Sequence, residues 1–345
     1  MARIGIVGAG AWGTTLSLVA SRNGHQVVLW AHDPEVADDL LEQRENRRYL
    51  PGIAMPESVV PTTRLDEAAR AADLVLAVTP AQNARAALTA LEPELAPGTP
   101  LLLCSKGIEI STLALMTDVA AEAMPGRPLA VLSGPTFAIE VARGLPTAVT
   151  VAAADLGLAG RVAALIGTTR FRPYLSDDPV GAEIGGAVKN VLAIACGIVA
   201  GRGLGDNARA ALITRGLAEI VRLAVVKGGK PTTLMGLAGL GDIALTCTAH
   251  QSRNYSLGEE LGRGQRLVDL LARRRTVAEG VPTAAAVAGL ATRLGVDMPI
   301  VQAVDGILHH EADIDGTIAD LLQRPFRLED PVAASAGGDP TTPLR

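Results

Sequence analysis

The sequence predicts an α/β protein: an N-terminal Rossmann-like domain built on a parallel sheet, followed by an all-α C-terminal domain. Apolar runs near 2–7, 26–31, 74–79, 100–104 and 129–132 alternate with helix-like stretches, as parallel strands covered by helices do. Glycines 8, 10 and 13 of "VGAGAWGTTL" fall between the first apolar run and the first helical pattern. From residue 181 onward strand-like runs stop and alanine-rich helical patterns take over.

Each element follows from its residues. Ile4, Ile6 and Val7 form the opening strand. Gly8 allows the tight turn out of it, Gly10 lets backbone amides approach a pyrophosphate, and Gly13 permits close packing of helix on sheet, with the anion at the helix N-terminus. The second strand, "QVVLW", ends where an acid favours NAD and a basic group favours NADP. Ala31, His32 and Asp33 come next. His32 can accommodate a 2′-phosphate while Asp33 points at solvent, which leans to NADPH and leaves NADH open.

A further strand pair is expected at 147–153 and 170–175, where threonine, valine and aromatic residues replace alanine. Beyond it, "GAVKNVLAIACGIVAG", "NARAALITRGLAEIVRLAVVKGG", "SLGEELGRG", "TAAAVAGLATRLG" and "MPIVQAVDGILHH" read as helices bounded by glycines and prolines. The expected domains are 1–180 for the dinucleotide and 181–331 for substrate and catalysis. The tail, 332–345, is too poor in apolar bulk to fold and is expected to be flexible.

Composition bounds the function. A chain of 345 residues, 48% hydrophobic and 19% charged, is globular and long enough for two cores. No unbroken run of about 18 apolar residues offers a membrane span, and a strand starting at residue 3 leaves no room for a signal peptide, so a cytoplasmic location is expected. The net charge of −5 argues against a nucleic-acid or anionic-membrane partner. Cys104, Cys196 and Cys247 are odd in number and set among apolar neighbours, which reads as reduced, buried thiols with no metal site.

Of 31 basic residues only four are lysines, at 106, 189, 227 and 230. Lys227 and Lys230 sit in "VVKGGKPTT", a surface turn. Lys106 in "CSKGIE" and Lys189 in "GGAVKNV" lie beside glycines in apolar surroundings, where a protonatable amine is harder to explain as solvation. On a helix over 182–200, Gly185 and Gly186 precede Lys189 by one turn and Ala193 follows by one, a stripe nearly without side chains that leaves room for a ligand. A lysine whose stem covers a helix contact with its amine in water fits the same pattern.

Downstream, "GLAGLGDIALTCTAHQSRNYSLG" sets Gly236, Gly239 and Gly241 before Asp242, then Ser252, Arg253 and Asn254 before a helical pattern. Ser252 is a fair N-cap, and these side chains with free backbone amides suit a phosphate. An ordinary capped helix with a solvent-facing arginine suits the pattern equally. Gly134-Pro135-Thr136 is similarly open, since a plain turn has the same composition.

Together "GAGAWGT", "SKGIE", "SGPTFAIEVARGLPTAV", "GGAVKNVLAIACGI", "NARAALITRGLAEI", "GLAGLGDIALTCTAHQSRN" and "AEGVPTA" resemble the bacterial NAD(P)-dependent sn-glycerol-3-phosphate dehydrogenases from residue 3 to 325. The resemblance implies interconversion of dihydroxyacetone phosphate and sn-glycerol 3-phosphate, supplying glycerol 3-phosphate for phospholipid synthesis. It makes Lys189 the proton acceptor in oxidation and donor in reduction, with Lys106 bridging cofactor and substrate. Gly134, Thr136, Asp242, Ser252, Arg253 and Asn254 match substrate positions. Gly8, Gly10, Ala11, Trp12, Gly13, His32, Tyr49, Ala138, Val277 and Glu279 match or adjoin cofactor positions, with Arg253 also near the cofactor.

The cofactor lends hydride chemistry, and the protein must position it and supply a proton path. A lysine does so at neutral pH only with its pKa lowered by desolvation or a neighbouring positive charge, and a domain interface with Lys106 nearby is expected to provide both, with Asp242 orienting the amine. No metal enters this chemistry. A β-hydroxyacid or phosphogluconate-type dehydrogenase shares the architecture, but those families place an asparagine four residues after the lysine, and Ala193 stands there. A non-catalytic nucleotide-sensing module predicts loss of the lysine or of the "QSRN" block, and both are present. The oligomeric state stays open, a homodimer among the options.

Overall fold

The chain begins with β1 (Arg3–Val7), α1 (Ala11–Arg22), β2 (Gln26–Trp30) and α2 (Pro34–Glu42) in a computed structural model that describes residues 1–274 and 278–325. A short antiparallel ribbon, β3 (Glu45–Asn46) and β4 (Leu50–Ala54), precedes β5 (Val59–Thr62), α3 (Leu65–Ala69) and β6 (Leu74–Ala77). Then come α4 (Ala84–Leu91), β7 (Leu101–Leu103), α5 (Met116–Ala123), β8 (Leu129–Ser133), α6 (Ala138–Ala142), β9 (Thr147–Ala152), α7 (Leu156–Ile166) and β10 (Phe171–Ser176). Eight strands form one sheet in the order β10-β9-β8-β7-β6-β1-β2-β5, parallel except where β8 meets β9. Ile4, Ile6, Val27, Leu29, Leu74 and Leu76 have no exposed surface. Burial on both faces is why these strands read as continuous apolar runs.

Sequence patterning did not reveal β3, β4 or β5. Two-residue β3 is too short to show a period, and β5 carries Pro61 opposite Leu29. A proline is tolerated there because β5 is an edge strand, where a missing N–H breaks no second ladder. The expected pair near 147–153 and 170–175 is present as β9 and β10, parallel to each other and extending the same sheet.

Among the described residues no strand follows Ser176. Helices α8 (Pro179–Gly201), α9 (Gly205–Val226) and α10 (Pro231–Leu234) lead into a π-type turn, Leu237–Gly241, and then α11 (Asp242–Thr248), α12 (Arg253–Gly262), α13 (Leu267–Arg273), α14 (Gly280–Leu294), α15 (Pro299–His309) and α16 (Ile314–Leu322). The chain forms two compact units, 1–109 with 114–183, and 110–113 with 184 onward. In the second, a Cβ placed on Gly197 would lie 2.1 Å from the Tyr255 carbonyl oxygen, and one on Gly258 2.1 Å from that of Ile194. Helices α8 and α12 therefore meet backbone to backbone.

By length and composition α8 is long and apolar enough to cross a membrane, with a mean hydropathy of 1.7, although no 18-residue run in it is free of charge. Inside the protein 83% of that stretch is buried, as in a core helix. The three cysteines are free and buried. Cys247 shares a thiol hydrogen bond with Cys196, which together with burial pushes its pKa up. The expected tail, 332–345, lies outside the described residues.

Candidate active site

The glycine loop has distinct work at each position. Gly8 has φ +118°, and a Cβ there would lie 2.8 Å from the Val78 carbonyl oxygen. A Cβ on Gly13 would lie 1.8 Å from the Gly8 carbonyl oxygen, so α1 starts against the turn itself. At Gly10 the same atom would meet nothing within 4 Å. Gly10 is the N-cap of α1 and offers no side-chain acceptor to the helix start. Its open side and the uncapped amides of Ala11, Trp12 and Gly13 suit a pyrophosphate.

Buried side chains hold this loop. Asn46 donates to the Ala9 carbonyl at 2.9 Å and to Thr14 Oγ1 at 2.8 Å. Thr15 Oγ1 donates to the Ala138 carbonyl at 3.1 Å, which fixes the start of α6 on α1. Trp12 packs near Phe171, ring centroids 6.4 Å apart. Past β2, His32 is exposed with its ring 5.7 Å from Trp30. Asp33, expected to point at solvent, instead caps α2 and pairs with Arg48, which in turn lies over the Tyr49 ring.

Along the carboxyl ends of β6, β7 and β8, Lys106 Nζ donates to the Gly134 carbonyl at 3.1 Å, and Thr136 Oγ1 approaches the same oxygen at 3.3 Å. Gly134 has φ +140°, and its built Cβ would lie 3.1 Å from Val149 Cα. Thr79 Oγ1 and Ser133 Oγ are buried here without a hydrogen-bond partner. Orphaned hydroxyls at this edge of an open α/β sheet lie where such folds receive ligands. The residues present fit a dinucleotide.

In the helical unit, Lys189 is 5% exposed. Its Nζ pairs with the fully buried Asp242 and donates to Thr246 Oγ1 at 2.9 Å, while Thr246 also approaches Asp242 at 3.3 Å. The stripe beside Lys189, expected to leave room for a ligand, is partly filled by backbone. A Cβ on Gly185 would lie 2.4 Å from the Ala238 carbonyl oxygen. This contact seats the π-type turn on α8, and α11 then begins with Asp242 beside the lysine.

Ser252 caps α12 by accepting from the Tyr255 amide at 3.2 Å. Asn254 donates to Asn190 Oδ1 at 2.9 Å and accepts from the Gly280 amide at 3.0 Å, which ties α8, α12 and α14 together next to Lys189. Arg253 is exposed over much of its surface. Loss of solvent around its guanidinium still lowers the pKa, opposed by Glu279 and reinforced by Arg274. Burial pushes the Glu279 carboxyl up to about 6 against the pull of Arg253.

A family model described as the NAD-dependent glycerol-3-phosphate dehydrogenase N-terminus matches residues 3–159, and its C-terminal counterpart matches 178–319. The chain belongs to the NAD-dependent glycerol-3-phosphate dehydrogenase family. It is 54% identical over 327 residues to glycerol-3-phosphate dehydrogenase (NAD(P)+) of Caulobacter vibrioides, across 95% of this chain and 98% of that protein. Its fold matches the crystal structure of glycerol-3-phosphate dehydrogenase from Coxiella burnetii with a TM-score of 0.91 at 39% identity, over 94% of this chain and 99% of that one. A ketopantoate reductase from Ralstonia eutropha, 16% identical with a TM-score of 0.58 over 92% and 99%, shares the fold alone.

In this dehydrogenase the first unit gathers Gly8, Gly10, Ala11, Trp12 and Gly13 at one turn, Ala138 against α1, and Lys106, Gly134 and Thr136 on one carbonyl. The second gathers Lys189 with Asp242, and Ser252, Arg253 and Asn254 at one helix start, with Glu279 facing Arg253 electrostatically. Val277 lies outside the described residues. Sequence reasoning missed Thr246, Asn46 and Arg48. Thr246 follows Asp242 by four positions on a helix, a same-face spacing that could have pointed to it, whereas the other two depend on an unseen ribbon.

Proposed function

We propose that Lys189 is the acid–base group with which this family member interconverts dihydroxyacetone phosphate and sn-glycerol 3-phosphate, using NAD(P). The observation that carries the reading is the buried Lys189–Asp242–Thr246 cluster beside the capped start of α12. NAD(P), when bound, would supply the hydride chemistry. Lys189 gives a proton to the substrate carbonyl oxygen in reduction and takes it from the hydroxyl in oxidation. Asp242 and Thr246 hold the amine in one orientation, and burial keeps competing water from it. Arg253, the Ser252 hydroxyl and the first amides of α12 take the phosphate, whose remote binding energy fixes the reacting carbon. Asn254 acts by holding that helix start in place. In the first unit Lys106, Gly134 and Thr136 share one carbonyl as a further candidate group for substrate, and the Gly10 turn takes the pyrophosphate.

The same reading carries a cytoplasmic enzyme that feeds phospholipid synthesis and has no nucleic-acid or membrane partner, and it leaves the oligomeric state open, a homodimer among the options. The net charge of −5 supports the lack of such partners, and sedimentation tests the oligomeric state. Loss of NADPH and NADH absorbance with dihydroxyacetone phosphate, measured beside 6-phosphogluconate with NADP, tests the activity. Turnover of 6-phosphogluconate alone would overturn it.

A further inference from the structure

The acid that follows β2 decides how a fold of this kind treats the adenosine ribose: a free carboxylate binds the 2′-hydroxyl of NAD, while a guanidinium there receives the 2′-phosphate of NADP. Here the acid is committed. Asp33 Oδ1 accepts the Glu35 amide at 3.0 Å as the N-cap of α2, and Oδ2 pairs with Arg48 Nη1 at 2.5 Å. Arg48 arrives from the loop between β3 and β4, and its guanidinium carbon lies 5.2 Å from the Tyr49 ring centroid. The side chain is 42% exposed, so part of Arg48 stays open to solvent while it pairs with Asp33, the residue that follows exposed His32.

We propose that Arg48, held by Asp33 and stacked over Tyr49, receives the 2′-phosphate of NADP and sets the preference for the phosphorylated cofactor. This rests on the dinucleotide reading of the glycine loop. A planar guanidinium with donors beyond the one given to Asp33 suits a phosphate dianion, and the aromatic contact reduces what is lost in ordering it. Asp33 is then a positioning residue whose charge is cancelled by the group it positions.

Calorimetry on the cofactor-free protein separates the possibilities, with adenosine 2′,5′-bisphosphate and AMP as probes. Arg48→Gln is expected to weaken the bisphosphate about 10- to 100-fold more than AMP, the range for one charge-assisted contact, with a matching fall in the NADPH/NADH ratio of kcat/KM. Asp33→Asn keeps a good N-cap while removing the carboxylate, and is expected to tighten the bisphosphate several-fold relative to AMP. Equal weakening of both probes by Arg48→Gln, or no weakening, overturns the proposal. So does a tenfold loss of AMP in Asp33→Asn, which would make Asp33 the ribose acceptor. If neither probe binds the unaltered protein, the dinucleotide reading of this turn fails and the proposal with it.

Discussion

Two glycine-lined regions of this chain use the residue for opposite ends. At the first turn the missing side chain of Gly10 faces open space, and the start of α1 has no internal acceptor. Along α8 the missing side chains of Gly185 and Gly197 are filled by the backbone of Ala238 and of Tyr255. One region leaves its helix start open, as the proposed anion site requires, and the other closes on itself and presents polar side chains instead. The same contrast separates helix starts. That of α1 has no side-chain cap, whereas that of α15 is sealed by Glu219, whose carboxylate accepts the Ile300 and Val301 amides at 2.8 and 3.2 Å.

The sharpest way to break this comparison is at Lys189, where closed packing is supposed to serve catalysis. Removing the amine takes the cationic partner from the buried Asp242, so Lys189→Ala is expected to lower stability as well as turnover, the stability by the roughly 3–5 kcal/mol typical of a broken buried pair. Lys189→Arg keeps the positive charge but does not release a proton near neutral pH. Turnover of a folded Lys189→Arg should fall by about 10²–10⁴, the usual worth of one general acid or base. Near-normal turnover would reduce Lys189 to a structural ion pair.

Next in size is a pair of identical substitutions with opposite readouts. Gly197→Ala drives a methyl group to 2.1 Å from a backbone oxygen. Overpacking of about 1–3 kcal/mol or more should outweigh the roughly 1 kcal/mol that alanine brings to a helix, so Tm drops. Gly10→Ala meets no atom, and its φ of −72° and ψ of −178° suit alanine. Tm should hold while dinucleotide affinity falls at least tenfold. Equal Tm losses would erase the distinction between the regions.

How much of this was legible in sequence follows the same divide. The glycine loop was readable because its three roles fall within six consecutive residues, and the parallel strands because burial on both faces leaves unbroken apolar runs. Lys189 stood out through the rarity of lysine. What surrounds it did not: Asn254 meets Asn190 and Gly280 across 64 and 26 positions, and the backbone that fills the space beside Gly185 comes from Ala238. A one-dimensional pattern reports that a side chain is missing and says nothing of whether a ligand or a distant carbonyl takes its place. Asn46 was equally hidden, since its two-residue strand has no period.

Arg253 probes whether side chains carry anion binding in the closed region. Arg253→Ala removes a charge-assisted contact worth about 1.5–3 kcal/mol, so KM for dihydroxyacetone phosphate should rise tenfold or more while Tm changes little. KM values for substrate and cofactor both within twofold of normal would remove Arg253 from the site.

The smallest effect concerns the sealed helix start. Burial pushes the Glu219 carboxyl from its ordinary 4.5 up to about 7, against the pull of the two amides and of Arg222. Its folded-state pKa is raised, so the folded protein keeps a proton that the unfolded chain releases. Stability from this group is therefore fully present below pH 4.5 and is lost as the pH climbs to about 7. Glu219→Gln cannot titrate and retains an acceptor for the amides. The stability difference between the unaltered protein and the variant should shift by on the order of 1 kcal/mol toward the variant between pH 5 and 7.5, read from denaturant melts at matched ionic strength. A difference that stays constant across this range would mean that Glu219 is ionised throughout, held by the amides as firmly as a bound anion would be, and that the start of α15 resembles that of α1 more closely than its burial suggests.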